Sequence, residues 1–265
     1  MALAAKESGI PAHIVMPSIS NPLKIAGTRA YGANVIFSGS TSPERDAAAK
    51  KVMEETGARF VPSYDHPDII LGQGTMGLEL QEQVEELMAK SIKPFEKKGK
   101  AGLDAIIAPC GGGGMLSGIA LSAENTGIRI FGAEPIHEGA DDAKRGFYSG
   151  NLVPAVSSLT IADGLRTPLG KHTWSIIGDR QGRGLVSGMY SVTEEEILAA
   201  MRLVFERMKL VVEPSACVPL AAVLFDEEFR KHVEEEAGEE GWDLGVVLSG
   251  GNVGVDKIAE LFGKK

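Results

Sequence analysis

Two hydrophobic periods alternate along this chain. Short apolar runs at His13–Met16, Asn34–Phe37 and Arg59–Val61 read as strands, and between them Asn21–Tyr31 and Pro43–Thr56 carry helical spacing that ends at Gly32 and Gly57. Strand, helix, strand, helix, strand is the order that builds a parallel sheet with right-handed crossovers. A polar loop with Pro62, Asp65, His66, Pro67 and Asp68 follows, and Leu80, Val84, Leu87 and Met88 then predict a long helix from about Thr75 to Ala89. A second series opens at Leu103–Ala108, an unbroken apolar run of the kind a strand buried on both faces requires. It continues with strands at Ile128–Ala133 and Gly245–Leu248, and with helices at Ala140–Tyr148, Thr193–Lys209, Pro214–Glu236 and Val253–Phe262. Met1–Ser8 reads as the tail of a helix with no cap before it. The expectation is an α/β protein of two open parallel-sheet domains. Residues 1–70 form an incomplete small domain, and residues 71–265 form a larger one.

Composition narrows the class. The chain has 265 residues, 43% hydrophobic and 24% charged, which is ordinary for a globular protein. Its 33 glycines exceed the roughly 19 of average usage and suit many short strand-to-helix turns. A net charge of −9 without a basic stripe argues against nucleic acid. No apolar run reaches the ~18 residues of a membrane span. Two cysteines, Cys110 and Cys217, make a disulfide framework improbable and the reducing cytoplasm the expected compartment. Neither has a local His or Asn partner, so both read as small buried thiols. The acidic run Glu227–Glu240 reads as a solvated helix face and loop.

The chemistry concentrates in glycine loops. Pro109-Cys110-Gly111-Gly112-Gly113-Gly114-Met115 leaves a buried strand and enters a helix. That geometry presents unpaired backbone N–H groups and the positive end of a helix dipole, which together favour an anion such as phosphate. The loop has neither the Gly-Lys-Ser/Thr end of a P-loop nor the spacing of a dinucleotide fingerprint. A second loop, Ser249-Gly250-Gly251-Asn252, follows another buried strand, and the turn Glu213-Pro214-Ser215 precedes a helix. In an open parallel sheet, ligands sit outside the carboxyl ends of the strands. Glu134, Glu138, Asp141 and Asp142 fall within nine residues after a strand, and such oxygen donors suit a hard cation, Mg²⁺ or Ca²⁺.

Taken in order, the loop Gly111–Met115, Gly132-Ala133-Glu134-Pro135, Thr160-Ile161-Ala162-Asp163-Gly164, Glu213-Pro214-Ser215 and Ser249-Gly250-Gly251-Asn252 resemble the pyridoxal-phosphate enzymes of fold type II, the serine racemases and serine/threonine dehydratases. The resemblance runs over essentially the whole chain. It implies that the backbone N–H groups of Gly111, Gly112, Gly113, Gly114 and Met115 hold the cofactor phosphate. It also implies that Ser249 bonds the pyridine nitrogen, with Glu213 near the ring. A metal would take Glu134, the carbonyl of Ala140 and Asp142. The loop 135–142 is two residues longer than the family's usual one, which leaves Glu138 as an alternative ligand. The implied activity is deamination or racemisation of a small hydroxy-amino acid by a homodimer, with no nucleic acid or membrane partner.

One family part is not found. The family's Schiff-base lysine lies in a segment like Ser-x-Lys-x-Arg-Gly-Ala, ahead of a Ser-x-Gly-Asn-His stretch, and neither occurs in these 265 residues. Lys24, in Leu23-Lys24-Ile25-Ala26-Gly27, sits instead in a context resembling a later helix of the family that ends in Tyr31-Gly32-Ala33. No catalytic residue is therefore assigned. The alternative reading is a cofactor- or metal-binding homologue or fragment that assembles with an intact paralogue. The chain on its own is expected to be unstable or to oligomerise, because the segment not found contributes strands and a helix to the family's core.

Overall fold

The structure is a computed structural model and describes residues 1–40, 42–90 and 102–263. The chain divides into two compact units, one of Met1–Val61 with Asn252–Glu260, the other of Pro62–Gly251 with Leu261–Lys265. The division falls at 61/62, and residues 252–260 group with the first unit. Local periodicity carries no information about which layer a terminal helix joins.

In the first unit, α1 (Ala2–Glu7) precedes β1 (His13–Pro17), α2 (Pro22–Ala30), β2 (Asn34–Ser38) and α3 (Ser42–Thr56). Strands β1 and β2 pair in parallel, Val15 opposite Ile36. Asn21 caps α2 by accepting the Leu23 N–H at 2.9 Å, with Pro22 in the first turn, where its missing N–H costs nothing. Arg59–Val61 is not a strand: it has no ladder partner among the described residues, and Phe60 and Val61 stay exposed.

The second unit holds α4 (Pro67–Lys90), β3 (Ala105–Pro109), α5 (Gly114–Ser122), β4 (Arg129–Pro135), α6 (Asp142–Ser149), α7 (Lys171–Ile177) and β5 (Gly188–Val192). It continues with α8 (Glu194–Leu203), α9 (Pro214–Phe225), α10 (Glu227–Ala237), β6 (Leu244–Val246) and α11 (Val255–Gly263), whose last residues belong here. The sheet runs β5-β4-β3-β6, all parallel. Every residue of β3 is buried, and alternate residues serve opposite faces. Ile106 and Ile130 pack with Leu116 and Ile119 of α5. Phe131 stacks at 5.7 Å on Trp242 and edge-on at 5.5 Å against Phe229 of α10. Helix α9 packs on β3, β4 and β5.

Three of the expected helices take a different course. Helix α4 starts eight residues early, at Pro67, because its glycines are contact points and not breakers: a Cβ on Gly74 would sit 2.8 Å from the Gly118 carbonyl of α5, and one on Gly118 would sit 2.5 Å from Gly74 N. The expected helix 214–236 breaks at Asp226, which ends α9 and whose carboxylate accepts the Phe229 N–H at 2.9 Å to start α10. Thr193–Lys209 ends its regular α-helix at Leu203 and passes into a wider π turn, Val204–Met208. Thr193 and Glu196 form a reciprocal capping pair at its start.

Candidate active site

Because β3 and β6 are parallel neighbours, the loops that leave them emerge on the same side of the sheet. Gly111–Met115, Glu213 and Ser249 all line one cavity of about 280 Å³ in the second unit, joined by Tyr64, Gln73 and Ser215. Glu213 is the residue before α9, and its N–H donates to the Gly250 carbonyl at 3.0 Å, fastening this turn to the Ser249 loop. Ser215 is buried; its hydroxyl accepts the Gly164 N–H at 3.0 Å and so holds another wall residue. The loop around Gly164 is held further back by the Glu194 carboxylate, which accepts from the Thr160 hydroxyl at 2.6 Å and the Ile161 N–H at 3.0 Å.

Space at the glycine loop is already taken. Gly113 caps α5 at φ 84°, a left-handed conformation that favours glycine. A Cβ there would meet Leu169 at 2.5 Å and Ile177 at 2.9 Å. A Cβ on Gly112 would enter the Tyr64 ring, and one on Gly114 would lie 3.1 Å from the Tyr64 carbonyl. Bare backbone at the start of a buried helix is the donor set a phosphate requires.

The expected metal residues lie after β4. Glu134 is fully buried; its carboxylate accepts the N–H groups of Ala143 at 3.2 Å and Lys144 at 2.8 Å, the first turn of α6. Asp142 is also buried and accepts the Leu169 N–H at 3.1 Å. Burial, with Asp142 nearby, pushes the Glu134 carboxyl well above the usual range. Burial likewise lifts Asp142 to about 6. Ala140 is buried as well. Glu138 turns away, its carboxylate accepting the Leu159 N–H at 2.7 Å, and Asp141 pairs with Arg145 at 3.1 Å. Among the described residues, no group of three or more His, Cys, Asp or Glu side chains is placed to hold a metal. Of the four acids in this run, Glu134 and Asp142 are the two the fold draws inside.

Cys110 is wholly buried, and burial, with Glu134 and Asp142, raises its thiol well above its ordinary value. Burial lifts Cys217 to about 12. Neither is poised as a nucleophile. Lys24 lies on α2, in the first unit. No helix among the described residues is long and apolar enough to cross a membrane. The sequence singled out neither Tyr64, in a loop that read only as a polar turn, nor Gln73, which lies on the part of α4 ahead of the expected helix start.

The parallel sheet, the glycine loop at a helix start and the second loop beside it define a site for a phosphorylated cofactor. Residues 1–249 match the family model of pyridoxal-phosphate dependent enzymes, and the chain belongs to that family. It is 39% identical over 267 residues to a serine racemase of Oryza sativa subsp. japonica, covering 100% of this chain and 71% of that one. It is 38% identical over 268 residues to an L-threo-3-hydroxyaspartate ammonia-lyase of Saccharomyces cerevisiae, covering 100% and 72%. The solved structure of maize serine racemase superposes with a TM-score of 0.82 at 38% identity, covering 98% of this chain and 72% of that one. The residues present fit the phosphate of the family's cofactor: bare glycine backbone that lines the cavity at a helix start. No lysine lines the cavity among the described residues.

Proposed function

We propose that this chain forms the cofactor site of an enzyme that deaminates or racemises a small hydroxy-amino acid: serine, threonine or hydroxyaspartate. The carrying observation is the single cavity that gathers the glycine loop, Glu213 and Ser249 at the strand ends. Relatives named serine racemase and hydroxyaspartate ammonia-lyase, similar along the entire chain, support the substrate class. When bound, pyridoxal phosphate supplies the electron sink for a carbanion at Cα. In this reading the N–H groups of Gly111, Gly112, Gly113, Gly114 and Met115 hold the phosphate. The Ser249 hydroxyl meets the pyridine nitrogen without fixing a proton there, which suits elimination and Cα inversion. Glu213 borders the ring. Glu134, the Ala140 carbonyl and Asp142 take Mg²⁺ or Ca²⁺, whose charge offsets two buried carboxylates. The reading extends to a homodimer in the cytoplasm, supported by two buried free thiols and by exposed Leu71 and Leu78 two turns apart on α4.

A second reading rests on the cavity wall without a lysine among the described residues: the chain holds the cofactor but does not turn over, alone or assembled with an intact paralogue. One experiment separates them. The purified chain is titrated with pyridoxal phosphate by equilibrium dialysis. It is then assayed for 2-oxo acid and for D-amino acid with L-serine, L-threonine and L-threo-3-hydroxyaspartate, with and without Mg²⁺. Binding with turnover supports the enzyme. Binding without turnover selects the second reading, and absence of binding overturns both.

A further inference from the structure

Residues 63–66 do more than connect the first unit to α4. Tyr64 lies against the glycine loop with both its ring and its backbone: a Cβ on Gly112 would enter the ring, and one on Gly114 would come within 3.1 Å of the Tyr64 carbonyl oxygen and 3.2 Å of its Cα. Tyr64 also lines the cavity. The next residue, Asp65, reaches across more than a hundred residues of sequence. Its carboxylate accepts the N–H groups of Lys171 at 3.0 Å, His172 at 2.8 Å and Thr173 at 3.2 Å. These are the unpaired donors at the start of α7, whose own cap position is Gly170 and offers no side chain. A Cβ on Gly170 would strike the Asp65 carboxylate.

Helix α7 in turn presses on the same glycine loop from another side. A Cβ on Gly113 would meet Thr173 at 3.0 Å and Ile177 at 2.9 Å. Two walls of the loop, Tyr64 and α7, are thus fastened to each other through one carboxylate. A charged acceptor holding three backbone donors gives a strong, directional tie. The tie fixes the height of the tyrosine ring above Gly112 and the seat of α7 under Gly113.

We propose that Asp65 is a positioning residue and Tyr64 a cover for the phosphate end of the cofactor site. The clamp they form holds the loop N–H groups in register for a phosphate monoester and excludes water from it. The inference rests on the proposed cofactor reading. It predicts that the clamp sets affinity for the phosphate and not for the ring.

The test compares pyridoxal 5′-phosphate with pyridoxal, which lacks the phosphate, by equilibrium dialysis against the whole chain. In the unaltered protein the phosphate should tighten binding by about a hundredfold or more, the worth of several charge-assisted bonds. Asp65→Ala and Tyr64→Ala should each reduce that ratio by about tenfold while pyridoxal itself binds within about twofold. Asp65→Asn keeps one acceptor oxygen and should fall between. Gly112→Ala should weaken the phosphate form, and much less so in a Tyr64→Ala background, since the clash is with the ring. Circular dichroism identifies any variant that fails to fold, and Asp65→Asn, nearly the same size, then carries the comparison. If the unaltered chain shows no preference for the phosphate, the cofactor reading fails and the clamp with it. If it shows the preference and the Asp65 and Tyr64 variants retain it, the clamp alone is overturned.

Discussion

The two units of this protein use the same alternation of strand and helix and reach different degrees of closure. In the second unit, a four-stranded parallel sheet lies between α5, backed by α4, on one face and α9 with α10 on the other, and β3 is buried along its whole length. In the first unit, two parallel strands and their helices leave Ala33 and Ser38 as the buried residues among those described. Parallel sheets depend on cover for both faces, and a two-stranded one gathers too little apolar contact for independent stability. The lesson is that strand and helix pattern alone does not measure a core: β1 and β2 carry Ile14, Val15, Val35 and Ile36, yet β1 is only half-buried and Phe37 of β2 stays exposed.

The sharpest way to break this comparison is a pair of truncations. Ile119→Ala, in the core beneath β3 and β4, should cost about 2–5 kcal/mol in urea unfolding. Ile36→Ala on β2, which is half-buried, should cost under about 1 kcal/mol. Equal costs would mean that the first unit has a core of its own. Glycines give the next contrast, with opposite signs. Gly118→Ala drives a Cβ against α4 and should destabilise by about 1–3 kcal/mol. Gly27→Ala, in the middle of α2 with nothing within 4 Å, should stabilise by roughly 0.5–1 kcal/mol. Thermal melts of the two variants read both signs.

A third prediction separates the units by charge. Mg²⁺ or Ca²⁺ at about tenfold over its dissociation constant should raise the stability of the second unit by about 1.4 kcal/mol. Glu134→Gln should abolish the gain, and a gain that survives the substitution places the cation elsewhere. The smallest effect is one of pH. His232, packed against Phe131 and Trp242, is held below its ordinary value by burial and by Arg129. The unfolded chain therefore takes up the proton first as pH falls. Stability present above about pH 6.5 should decline below it, and His232→Gln should flatten that slope by under about 1 kcal/mol in denaturation midpoints taken across the window.

Much of the fold was legible because its signals are local. The buried runs of β3 and β4, the helix starts near Asn21 and Thr193 and the glycine loop between β3 and α5 are each written within a few residues. What was missed depends on distant partners. Strand β5, Gly-Met-Tyr-Ser-Val, gains its identity from pairing with β4. Helix α7 is only seven residues long and takes its cap from Asp65, more than a hundred positions away. The early start of α4 was not legible because the backbone of α5, which approaches Gly74 closely, is absent from any local window.

The sequence by itself determined the alternation of elements, the parallel sheet of the α/β class, the glycine loop at a helix start and the ordered motifs of the pyridoxal-phosphate dependent family. Each depends on backbone preferences and on apolar period within a short span. Only the tertiary structure decided which of four neighbouring acids are buried. It also decided that Glu213 and Ser249 share a cavity with the glycine loop, and that a plain polar turn carries Tyr64 and Asp65 against that loop. Those facts are distances between residues far apart in the chain, set by how the sheet and its helices close around one another.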